Sequence, residues 1–170
     1  AAAARELVEK YVPVMKIRRQ DGSVCNIDAE QYQVMGVDAL FNDPAVKLMR
    51  NNDKAPSTLI KRGPSPRDIS NRGEEVYLDM PGDPLGETCV YAKDFEQMKK
   101  DGRAPVQVYA HIAHEKGRDG LAVQYWFYWY FNEFNDLHES DWEGMQITFS
   151  GDTPREALSE EPGEMILFQH

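Results

Sequence analysis

Residues Leu121 to Phe131 read LAVQYWFYWYF, and this run constrains the whole chain. A stretch so dense in aromatic and aliphatic side chains has to live in a core. Aromatic and β-branched residues favour the pleated, half-buried surface of a sheet, so the run predicts a strand rather than a buried helix. Side chains alternate faces along a strand. Leu121, Val123, Tyr125, Phe127, Trp129 and Phe131 then share a core face. Ala122, Gln124, Trp126, Tyr128, Tyr130 and Asn132 share the other, which carries more polar handles and suits a partly wet layer or a second sheet.

A knot of ligand-type side chains follows, His138 to Glu143, HESDWE, before a second apolar run. If a strand begins near Asp141, then Asp141, Glu143, Met145, Ile147 and Phe149 point one way. Trp142, Gly144, Gln146 and Thr148 point the other. The two carboxylates stand about 7 Å apart at the head of a core-facing row. Charged carboxylates cannot stay bare in apolar surroundings. They must sit at the open end of the sheet, pair with a cation or bind a metal. His138, expected on the connecting loop, can fold back towards them, and Asn132, Asn135, Asp136 and Glu139 add oxygen donors nearby.

The segment AVQYWFYWYFNEFNDLHESDWE resembles the vacuolar protein sorting-associated protein 62 family, with Ser140 in place of that family's usual glycine. VYAHIAHEKG, YLDMPGDPLGETCVYAKDF and ELVEKYVPVMKI extend the resemblance over most of the chain. More distantly, the aromatic run and H-x-x-D-W-E are similar to the necrosis- and ethylene-inducing-like proteins. That second resemblance implies an acidic metal cavity lined by His138, Asp141 and Glu143. It also implies a membrane lipid's sugar headgroup as ligand, and membrane damage or adhesion as the result. The first family implies a trafficking role. Asn132 and Asp136 are the candidates for the upstream aspartate that the second family uses.

Three functions follow. The first is a divalent-metal site that holds a glycan or lipid headgroup, with His138, Asp141 and Glu143 as ligands and Asn132, Asp136 and Glu139 as further donors. Oxygen-rich shells suit magnesium or calcium better than zinc. The second is a hydrolase in which the metal sharpens a water and Glu143 or Glu139 acts as general base; no G-x-S-x-G motif supplies a nucleophile. The third is structural. Asp141 accepts backbone amides, Glu143 pairs with an arginine such as Arg118, and Trp142, Trp126 and Trp129 pack the sheet.

Composition narrows the partners. A net charge of −10 excludes the basic footprint of a nucleic-acid binder and simple attraction to anionic lipid. No apolar run approaches the roughly 20 residues of a membrane helix. A chain of 170 residues suits one domain. Cys25 and Cys89 allow one disulfide, with two buried thiols as the alternative. The AAAA start carries no processing signature; a secreted or cell-surface location is the expectation.

The remaining elements read in order. Ala1 to Val12 predicts a helix stopped by Pro13. Val14 to Arg18 and Val24 to Ile27 predict strands about an Asp-Gly turn. Asp28 caps a helix over Ala29 to Met35, and Asn42-Asp43-Pro44 starts another over Ala45 to Met49. Asn51 to Gly73 reads as a long surface loop with solvated Lys54, Lys61, Arg62, Arg67 and Arg72. Strands are expected over Glu74 to Asp79, Cys89 to Tyr91, Pro105 to His114 and Glu164 to Gln169, with helical turns over Asp94 to Lys100. His111 and His114 fall on opposite strand faces, which makes them a poor joint metal pair. KGRDG, 116–120, predicts a hairpin joining 106–114 to 121–131. Thr153-Pro154-Arg155-Glu156 has the form of a capping box opening a helix to about Glu161. The fold class expected is an antiparallel β-sandwich with short helices. It is expected to be incomplete at its C-terminal end, with another chain or fragment completing it.

Overall fold

In the computed structural model, residues 1–17, 24–25, 31–52, 54–70 and 75–169 are described. The chain is mainly β and of the sandwich-like class expected, with two antiparallel sheets and a few short helices. It comprises two compact units: Ala1–Arg18 with Gln107–Tyr128 and Trp142–His170, and Arg19–Val106 with Trp129–Asp141.

The first unit is built on a sheet of order β4-β5-β6-β7, over Tyr109–Ala113, Leu121–Asn132, His138–Phe149 and Met165–Phe168. β5 and β6 each run on into residues of the second unit. The expected hairpin is present, with Tyr109 opposite Trp126 and Ala113 opposite Ala122. Leu121, Val123, Tyr125 and Phe127 of β5 are buried, as are Met145, Ile147 and Phe149 of β6, which confirms the core rows read from alternation. Helix α1 (Ala2–Tyr11) puts Leu7 into this core. The Tyr125 hydroxyl donates to the Val8 carbonyl at 2.8 Å, tying α1 to β5, and burial pushes that hydroxyl's pKa up to about 12. The capping box at Thr153 is formed. Its helix spans only Pro154–Ala157 rather than reaching Glu161, because the chain turns once Ala157 is buried.

The second unit holds a sheet of order β2-β1-β3, over Ala55–Arg62, Lys47–Asn52 and Val76–Asp79. Three expectations fail here. The helix over Ala45 to Met49 is a strand: Asp43 Oδ1 accepts from the Ala45 amide at 2.9 Å and makes a local turn. Pairing of β1 on both sides, with Leu48 fully buried, then overrides the helix-start signal. The long surface loop over 51–73 carries β2 and a short helix, α2 (Pro66–Ile69), because its polar side chains lie on an exposed edge strand. Lys61 pairs with Asp68 at 2.8 Å. Cys89 to Tyr91 is not a strand either; it opens α3 (Cys89–Lys100), whose buried face is Tyr91, Ala92, Phe95 and Met98. Cys25 and Cys89 are joined by a disulfide.

Gln31 to Gly36 is buried except at Gln33 but is not helical, and Val14 to Ile17 forms no strand. The rest of the expected Val14–Arg18 and Val24–Ile27 hairpin, and the Asp28 cap, lie outside the described residues. β4 is shorter than Pro105 to His114, and β6 starts at His138, so His138 is a strand residue rather than a loop residue.

β5 departs from one expectation. Past Phe127 the other row becomes buried: Tyr128 and Tyr130 are each 1% exposed, whereas Trp129 is only half-buried. In the second unit the cause is α3. Tyr91 stacks on Phe131 with centroids 4.2 Å apart, Phe95 lies 6.2 Å from the Tyr130 ring, and the Tyr130 hydroxyl donates to Asp94. Both rows of that segment therefore find aromatic partners.

Two glycines of the β4–β5 turn separate strain from crowding. Gly117 and Gly120 both have positive φ (+83° and +91°), but a Cβ on Gly117 meets open space and one on Gly120 would stand 2.2 Å from the Phe149 carbonyl oxygen. Gly117→Ala is expected to cost about 1 kcal/mol from conformation alone. Gly120→Ala is expected to cost about 3 kcal/mol or more. Urea unfolding of the two variants measures the difference; equal losses would contradict it.

Candidate functional site

The geometry around HESDWE differs from a metal cage. His138 Nδ1 donates to the Ser140 carbonyl at 2.9 Å, and its Nε2 lies 3.2 Å from Asn132 Nδ2. A carbonyl only accepts, so Nδ1 carries a proton; Nε2 faces an Asn132 Nδ2 whose hydrogens also serve the Phe134 and Asp136 carbonyls. Ser140 at φ 62° makes the kink that lets His138 reach back. Asn132 is committed to the following loop, accepting from the Phe134 amide at 3.1 Å and donating to the Asp136 carbonyl at 2.8 Å. Asp136 is exposed. Asp141 and Glu143 are half-buried, on the row that continues into Met145 and Ile147. Arg118, the suggested partner of Glu143, pairs with Glu115 at 3.2 Å. Among the described residues, no group of three or more His, Cys, Asp and Glu side chains is placed to hold a metal ion.

Glu139 is engaged in a way the sequence reading missed. Its Oε2 accepts from the Met80 amide at 2.8 Å and its Oε1 from the Tyr91 hydroxyl at 2.6 Å. Burial raises its pKa, with Asp79 adding to the rise, against the hydrogen bonds from Met80 and Tyr91 and the charge of Lys47. Asp79 is paired with Lys47 at 2.7 Å. The Tyr91 hydroxyl is raised too, first by its own burial and then by its bond to Glu139. This carboxylate pins the 79–83 turn to α3, and Gly82 is required there because a Cβ would stand 2.5 Å from the Tyr91 ring.

A different surface gathers the remaining chemistry-bearing side chains, and it lies within the first unit. On the solvent side of the four-stranded sheet, the His111–Gln124–Gln146 row is linked by contacts of 3.3 and 2.8 Å. The next row is aromatic. Tyr109 is opposite Trp126, Gly144 is opposite Phe168, and the Trp126 and Phe168 rings meet at 4.9 Å. They meet across Gly144 because it has no side chain: a Cβ there would stand 2.2 Å from the Phe168 ring. Beyond them Trp142, 43% exposed, lies against Tyr128 at 5.1 Å and Tyr109 at 5.7 Å.

The whole row set reads Tyr109, His111 and Ala113; Ala122, Gln124, Trp126 and Tyr128; Trp142, Gly144, Gln146 and Thr148; Ile166 and Phe168. Among these strand residues there is no Asp, Glu, Lys or Arg, in a chain in which 28% of residues are charged; Glu164, opposite Thr148 and just before β7, borders the set. A solvated sheet face ordinarily carries charge. The expected structural role of Trp126 and Trp142 is thus half of the picture: both pack on neighbours, and Trp142 also presents its ring to solvent. Trp129 stands apart in the second unit. Alternation placed Gln124, Trp126 and Tyr128 together, and Trp142 with Gln146. What it could not supply is that these sets join, with Tyr109 and Phe168, into one uncharged surface.

No family model, curated protein or solved structure matches this chain.

Because the Glu139 pKa is raised, the folded state binds a proton that the unfolded state has lost. Stability should therefore fall as pH rises from the ordinary glutamate pKa through the raised value. Glu139→Gln is expected to flatten that decline above the ordinary glutamate range in urea titrations. A variant that declines as steeply as the wild type would contradict the assignment.

Proposed function

We propose that this protein is a ligand-binding β-domain, rather than an enzyme, and that its ligand is a neutral glycan, free or as a lipid headgroup, held on the aromatic face of the four-stranded sheet. The observation that carries this reading is the uncharged row set around Trp142 and Trp126. Sugar rings offer apolar C–H faces that settle on aromatic rings, and hydroxyls that exchange hydrogen bonds with amides. Indole and phenol rings suit that mixed chemistry because each has an apolar body and a polar tip. Gln124, Gln146, Thr148 and His111 supply donors and acceptors beside the rings. The lack of formal charge favours a neutral sugar over a phosphorylated or carboxylated one, since nothing on the face would pair an anion.

The sugar headgroup implied by the H-x-x-D-W-E resemblance agrees in ligand class, though not in location. The metal at His138, Asp141 and Glu143 is not carried into this reading, because His138 is engaged with the Ser140 carbonyl and no metal-holding group of three such side chains is found among the described residues.

Binding to a panel of neutral oligosaccharides, measured calorimetrically, tests the proposal. Trp142→Ala is expected to weaken binding at least about tenfold, or about 1.4 kcal/mol, with the far-ultraviolet spectrum unchanged. Chelator and Asp141→Asn are expected to leave it intact. Binding abolished by chelator and Asp141→Asn, but untouched by Trp142→Ala, would return the metal reading and overturn this one.

A further inference from the structure

β7 is an edge strand of unusual composition. Met165, Ile166 and Leu167 are 63%, 44% and 71% exposed. Met165 is opposite Ile147 and Leu167 opposite Met145, so both lie on the core side of the sheet, beside side chains that are only 8% and 6% exposed. The pairing pattern also turns their backbone amides outward. Thr148 N donates to the Glu164 carbonyl at 3.0 Å and the Thr148 carbonyl accepts from the Gly163 amide at 2.8 Å, which makes position 148 a hydrogen-bonded one of the β6–β7 ladder. Antiparallel alternation then turns Ile166 towards β6 and the amides of Met165 and Leu167 outward. An exposed, apolar, unpaired edge is a template for another strand.

The same unit carries a segment of matching character. Val12 to Ile17, VPVMKI, forms no regular element among the described residues, and Val12, Val14 and Ile17 are 48%, 90% and 43% exposed. Val12 is extended, at φ −58° and ψ 129°. Val, Met and Ile are strand formers, yet here they have no sheet. The charges complement: Lys16 lies in the segment and Arg18 and Arg19 follow in sequence, whereas Glu161 and Glu164 precede β7. The two parts also lie close together. Tyr11, the last residue of α1, packs at a tilt against Phe149 with centroids 5.1 Å apart, and Phe149 is two residues along β6 from Ile147, the partner of Met165.

We propose that β7 is an interface for a second copy of this chain, whose Val12–Ile17 segment adds as a fifth strand to the sheet while its own β7 receives the first copy's segment. Donor and acceptor sit side by side on one protomer, as a two-fold, self-complementary exchange requires. Strand addition satisfies the outward amides of Met165 and Leu167, and Val14 or Ile17 covers their side chains. This interface is the edge of the sheet, separate from its aromatic outer face.

Light scattering with size-exclusion chromatography, over micromolar to hundred-micromolar protein, reads the result. The wild type is expected to be dimeric at the upper end, and more weakly so in 1 M salt. Leu167→Lys and Val14→Asp, on opposite sides of the exchange, are each expected to give a monomer with an unchanged circular dichroism spectrum. A cross-link between Cys substituted at Val14 and at Leu167 should join chains rather than form within one. A wild type that is monomeric throughout, a dimer that survives both substitutions, or a cross-link confined to single chains would each overturn the proposal. Trp142→Ala should leave the dimer untouched, which keeps this result separate from that for glycan binding.

Discussion

The aromatic strand β5 leaves neither of its rows wholly to water, and the rest of the structure answers to that constraint. Leu121 to Phe127 bury the odd-numbered row against α1, beside the β6 row of Met145, Ile147 and Phe149. Further along, Tyr130 and Phe131 are both enclosed by the Tyr91 and Phe95 rings of α3. Burial of this aromatic surface stabilises the fold, at about 25 cal/mol per Å² removed from water. The polar groups it drags inside have partners: the Tyr125 hydroxyl donates to Val8 and the Tyr130 hydroxyl to Asp94.

What remains outside follows from the same alternation. Where the odd row is buried, the even row must face out, and here it contributes Gln124 and Trp126 to an uncharged surface with Trp142, Gln146 and Phe168. Gly144 matters because its missing side chain lets β7 bring Phe168 up to Trp126. The candidate site is therefore a product of sheet register. The HESDWE residues have other work. His138 organises its own strand entry through Ser140 and Asn132, and Glu139 ties the turn after β3 to α3.

Period-two patterning made the four-stranded sheet legible, because each of its central strands has one buried row. The Asp-Gly turn at 119–120 and the Thr153 capping box were legible too, since both are local. The Lys47–Asn52 and Ala55–Arg62 hairpin was not: β2 is exposed on both faces, so it has no alternation to read, and the Asn-Asp-Pro signal before β1 is satisfied by a turn as readily as by a helix. Cys89 to Tyr91 looked extended because the helix it opens is fixed by Tyr91 and Phe95 packing on β5, a contact distant in sequence. At the motif, spacing correctly put Asp141 and Glu143 on the core-side row. It could not show that the His138 ring would be taken up by a backbone carbonyl and an amide two and six residues away.

The chain has three tryptophans, two on the uncharged face and one elsewhere. Their indole N–H resonances are separate reporters in a two-dimensional nitrogen–proton spectrum. Titration with a neutral oligosaccharide should move the Trp142 and Trp126 signals together, saturably, and leave Trp129 in place. Shifts confined to Trp129, or to amides around His138 with Trp142 and Trp126 unmoved, would contradict the account.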